Sequence, residues 1–149
     1  MSELLAGIYA VHMTFAALWT GSVVFVAIAV LPTAMNGEGS PAPLSAMIGK
    51  LKLVSRTSAL LLFLTGGHLA ATQYGASGLT GTFRGYLVIA MLVLWFVLAG
   101  LVEVGSSKLT DGFDQQKLRE PARNARPFFL GATVVAVLLL LDAGIILGI

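Results

Sequence analysis

Val134 to Leu141 reads VVAVLLLL. Eight apolar residues in a row fit no membrane strand, because strands of a membrane barrel alternate between lipid-facing and lumen-facing residues. The stretch therefore reads as helix in lipid, within a longer apolar block from Phe128 to Ile149. Three similar blocks precede it: Leu4 to Leu31, Thr57 to Tyr74 and Gly85 to Val104. Each is near or above the roughly 20 residues that carry a helix across a hydrocarbon layer of about 30 Å. The expected fold is all-α: one domain over residues 1–149, an integral membrane antiparallel bundle of four helices. The first block exceeds the need and implies a tilted or protruding helix.

Composition agrees with that class. Of 149 residues, 57% are hydrophobic and 11% charged, and the mean hydropathy of +0.91 lies far from the balance of a soluble domain. The N-terminal flank, Ser2 and Glu3, lacks the basic residues of a cleavable signal, and the first block is too long for one. With no cysteine, the chain has no disulfide, iron–sulfur cluster or thiolate metal site.

Charge placement sets an expected orientation. Lys50, Lys52 and Arg56 lie between the first two blocks, and Lys108, Lys117, Arg119, Arg123 and Arg126 between the last two, leaving only Arg84 in the middle connection. This bias predicts that the first and third connections face the cytoplasm of a prokaryotic cell and that both termini lie outside. The net charge of +2 is thus a topology signal, and nothing clusters the basic residues as a nucleic-acid interface would. The connections read as solvated. Met35 to Pro43 ends the first helix, Leu44 to Arg56 leads amphipathically into the second, and Gly75 to Gly85 is a flexible turn. Lys108 to Pro127 is expected to hold a short surface helix with Thr110 or Asp111 as cap and Pro121 as stop.

Three ionisable residues sit deep in the apolar blocks: His12, His68 and Asp142. At about 1.5 Å per residue they lie roughly 13, 9 and 10 Å in from Glu3, Tyr74 and Ile149, and Met91 lies about 10 Å in from Arg84. All four depths are measured from the outer face, so the residues share one layer. Two imidazoles at matched depth suit the axial positions of haem b held between helices. In that reading Gly66 and Gly67 admit a flat cofactor, Phe15 and Trp19 pack against it, and Arg84, Tyr86 and Tyr74 meet its propionates at the rim. Asp142 then orients an imidazole or pairs with Arg84. The plainer alternative is a membrane histidine hydrogen-bonded to Thr14, Thr65 or Thr72. Met13 and Met91 beside the histidines also fit copper(I), though single methionines more often fill gaps. Glu103, near the cytoplasmic rim, is expected to snorkel.

The stretch His12 to Pro32, HMTFAALWTGSVVFVAIAVLP, resembles the first helix of the copper-resistance D (CopD) family, which shows a histidine, a Trp-x-Gly step and a closing proline, here His12, Trp19, Gly21 and Pro32. Arg56 to Ala70 is similar to that family's second helix through Arg56, Thr65 and Gly66. The resemblance implies a four-helix membrane module associated with copper uptake or haem. A more distant likeness to HemJ-type protoporphyrinogen oxidases, which are haem proteins, implies His12 as a ligand. The expectation is a membrane b-type cytochrome, an electron carrier rather than a complete enzyme, exchanging electrons with quinol or a partner redox protein. Copper handling through His12, His68, Met13 and Met91 is the second reading. A cofactor-free subunit of a respiratory complex is the third, and a homo-oligomer is compatible with each.

Overall fold

The computed structural model describes residues 2–149, and among them it contains five helices and no strand. The first, α1, runs Glu3–Met35. It is followed by α2 (Pro41–Gln73), the short α3 (Gly75–Gly81), α4 (Phe83–Asp114) and α5 (Arg119–Gly148). Three of these, α1, α4 and α5, are long and apolar enough to cross a membrane. The 33-residue α2 is equally long but is diluted by Lys50, Lys52 and Arg56 and by the polar and small residues around Thr65 to His68.

Local chemistry explains where the helices start and stop. Ser2 caps α1, its Oγ accepting from the Leu5 amide at 3.3 Å, and Thr82 caps α4 by accepting from Gly85 at 3.0 Å. Pro32 has no N–H to give the Ile28 carbonyl, and the turn ahead of it widens: Val26–Val30 is a π turn in which the Leu31 amide donates to Val26 O. Gly37, at φ +73°, then turns the chain out of α1, and Pro41 opens α2 at a position that needs no donor.

Two connections differ from the sequence expectation. Gly75 to Gly85 is mostly helical, because Gly85 lacks a Cβ and lets the Gly78–Leu79 backbone of α3 press onto α4. There is also no separate surface helix between Lys108 and Pro127. Instead α4 continues to Asp114, Gln116 turns at φ +61°, and α5 begins at Arg119 with Pro121 in its first turn, where a missing N–H costs nothing.

The long helices pack antiparallel. Helix α1 lies against α2 and α5, and α4 also lies against α2 and α5, so α1 and α4 stand on one diagonal of the bundle. Close approach of α4 and α5 rests on Gly105, which meets Phe128 and Phe129, and Gly112, which meets Pro121. The core occupies only one half. Trp19, Val23, Leu31, Ile48, Leu98, Leu109, Phe113 and Phe129 are almost wholly buried there. Toward the other end, beyond Trp19, Leu62, Leu98 and Ala136, only Leu69, Gly85 and Asp142 are buried among the described residues. The bundle therefore has a packed half and an open half.

Candidate functional site

The open half holds an apolar cleft of about 360 Å³, partly open to the outside, that reaches all four long helices. Its floor is Trp19, Leu62 and Trp95, and Leu79 of α3 also lines it. Trp19 is fixed by donating from Nε1 to Ser55 Oγ at 2.8 Å, and Trp95 by donating to the Ala59 carbonyl at 3.1 Å. Both indole N–H groups thus have partners, and their ring faces are left to line the space.

His12 is the polar group that matters on this wall. Its ring lies against the α2 backbone, made possible by Gly66: a Cβ there would stand 3.1 Å from His12 Cε1. His12 Nδ1 is 2.7 Å from Thr65 Oγ1. Thr65 Oγ1 in turn donates to the Leu61 carbonyl at 2.6 Å. A hydroxyl has one proton, and here it is committed to Leu61. Thr65 Oγ1 must therefore accept from His12, so Nδ1 carries the imidazole proton and Nε2 of the neutral ring keeps its lone pair. That tautomer suits a metal ligand, with the distal N–H anchored and the other nitrogen free to bind.

Of the residues expected at the site, His12, Met13, Trp19, Gly67 and Met91 all line the cavity. His68 does not. It is exposed and absent from the cavity wall. The cause is helical phase: Gly66 faces His12, and two residues further on the side chain has rotated by about 200°. The two imidazoles thus sit on helices in direct contact and do not sandwich the space. Arg84 and Tyr86 are exposed, and the Tyr86 hydroxyl donates to the Thr80 carbonyl at 2.8 Å.

Asp142 is 7% exposed and its Oδ2 has no hydrogen-bond partner. It orients neither histidine, since the anchor of His12 is Thr65, and among the described residues Arg84 forms no ion pair. The α4–α5 register explains its depth. Gly112 against Pro121 and Leu101 against Gly131 carry Asp142 to the level of Met91. Glu103 does not simply snorkel: its carboxylate receives the Arg56 guanidinium, with Nε at 3.3 Å, and ties α4 to α2.

Sequence reading missed Trp95 and Phe63, which line the cavity with their rings 5.4 Å apart. A signal was present, because Trp95 is one helical turn from Met91 and shares its face. Among the described residues no three His, Asp or Glu side chains converge as a metal-ion site would require. Comparison with family models, with curated proteins and with solved structures finds no match to this chain.

Proposed function

We propose that this chain is an integral membrane protein of four crossing helices that carries haem b in the open half of the bundle, with His12 as an axial ligand, and that it exchanges electrons with quinol or a redox partner. The observation that carries this reading is the pairing of His12, its Nε2 lone pair free, with an apolar space within the roughly 300–1,000 Å³ range of ligand sites. A flat macrocycle needs room between helices and one good nitrogen donor. His12, Met13 and Met91 line the same space and are the donors of the copper reading, which the metal content of the purified protein separates from haem.

The remaining residues fit the same role. Gly66 and Gly67 keep α2 thin beside the ring, and Trp19, Phe63 and Trp95 supply flat apolar contact that excludes water. Arg84, exposed at the start of α4, is the donor this end of the bundle offers to carboxylate side groups of the cofactor, whereas the Tyr86 hydroxyl already donates to the Thr80 carbonyl. Exposed Leu60, Leu64, Val93, Phe96 and Leu141 face lipid, so α2 completes the set of spans although it is the least apolar. The bias of basic residues toward the first and third long connections supports an orientation with both termini outside a prokaryotic cytoplasmic membrane. When bound, haem supplies one-electron chemistry, and the chain's part is to bind, orient and insulate it.

Haem content of the detergent-purified protein tests the reading. About one haem per chain, lost in His12→Ala, is the expected result. A colourless protein, or one carrying copper and no haem, overturns it.

A further inference from the structure

If His12 takes one face of the cofactor, the other face needs a donor from elsewhere on the wall. The cavity lining contains few side chains with a lone pair to offer: His12, Met13, Thr20 and Met91. Three of these belong to α1. Met13 is adjacent to His12 and cannot reach the opposite face, and Thr20 lies two turns deeper with its hydroxyl donating to the Ala16 carbonyl at 2.7 Å. Met91 alone comes from another helix. That helix, α4, stands diagonally across the bundle from α1, the arrangement that places two ligands on opposite sides of a flat cofactor.

We propose that the thioether of Met91 is the second axial ligand, so that the site is a His12–Met91 pair and His68 has no part in it. This rests on the haem reading above. It goes further by naming the sixth ligand and, with it, a redox character: methionine opposite histidine raises the potential relative to two histidines.

The test is the reduced absorption spectrum and carbon monoxide binding of the holo-protein in detergent, with wild type, Met91→Leu, Met91→His and His68→Ala compared. Wild type is expected to be six-coordinate and low-spin, and His68→Ala to be indistinguishable from it. Met91→Leu, which keeps the apolar volume, is expected to lose the low-spin bands and gain carbon monoxide binding. Met91→His is expected to restore them at a lower midpoint potential, which shows that the position ligates even if the leucine variant folds poorly. Low-spin bands retained in Met91→Leu, or lost in His68→Ala, overturn the proposal and leave the haem reading standing. Wild-type protein without haem overturns both.

Discussion

His12 Nδ1 and Thr65 Oγ1 lie 2.7 Å apart across the α1–α2 contact, and the threonine hydroxyl's own proton is taken by the Leu61 carbonyl. One hydroxyl thereby fixes both the rotation and the tautomer of the imidazole. Thr65→Val keeps the shape and removes the acceptor. It is expected to weaken haem retention by roughly 10–100-fold, whereas Thr65→Ser is expected to preserve it. Titration of the apo-protein with haemin measures this, and equal affinity in the valine variant contradicts the assigned anchor.

Gly66 is the seat of the same ring. Any Cβ at that position meets His12 Cε1 at 3.1 Å, so Gly66→Ala displaces the imidazole by a few tenths of an ångström and Gly66→Val by more. Graded loss of the haem spectrum from Ala to Val is expected. Full haem content in Gly66→Val shows that the ring does not depend on this close approach.

The floor of the cavity depends on a buried hydrogen bond. Trp19 is 1% exposed, and its indole N–H has Ser55 Oγ as partner. Ser55→Ala orphans that donor and is expected to cost about 1–3 kcal/mol, while adding Trp19→Phe is expected to recover part of the hydrogen-bond penalty at the expense of packing volume. Unfolding of the single and double variants in detergent measures the coupling; strictly additive losses contradict it.

Asp142 offers the opposite case. Its buried Oδ2 has no partner, so Asp142→Leu is expected to leave haem binding intact and to stabilise the fold by about 1–3 kcal/mol. A lower unfolding temperature, or loss of the cofactor, assigns this carboxyl a partner or a role.

Gln116 holds a left-handed conformation at φ +61° between α4 and α5, with the Lys117 amide donating back to the Gly112 carbonyl at 3.0 Å. Glycine adopts that conformation without the Cβ clash, and Gln116→Gly is expected to stabilise by about 1 kcal/mol. No rise in unfolding temperature contradicts the strain assigned here.

Much of this was legible in the sequence, for reasons that are physical. VVAVLLLL demanded helix, the stretch Met35 to Pro43 ended the first helix, and counting residues along α1 and α4 put His12 and Met91 at one depth, where the structure has both on the cavity wall. Depth follows from chain length alone. Facing does not: the 3.6-residue repeat fixes which way His68 points only once Gly66 is known to be the contact, and both faces of a lipid-buried helix are apolar. For the same reason Asp142 read as orienting an imidazole or pairing with Arg84, whereas Thr65 anchors His12 and Arg84 forms no ion pair among the described residues. Gly85 read as turn flexibility, whereas it is the flat surface that lets α3 fold onto α4.

The most direct test of the whole account is the dithionite-minus-air difference spectrum of purified wild type beside His12→Ala. Sharp reduced haem bands in the first and their absence in the second are the result expected of a neutral imidazole whose Nε2 binds iron. Bands of equal height in both, or in neither, contradict it.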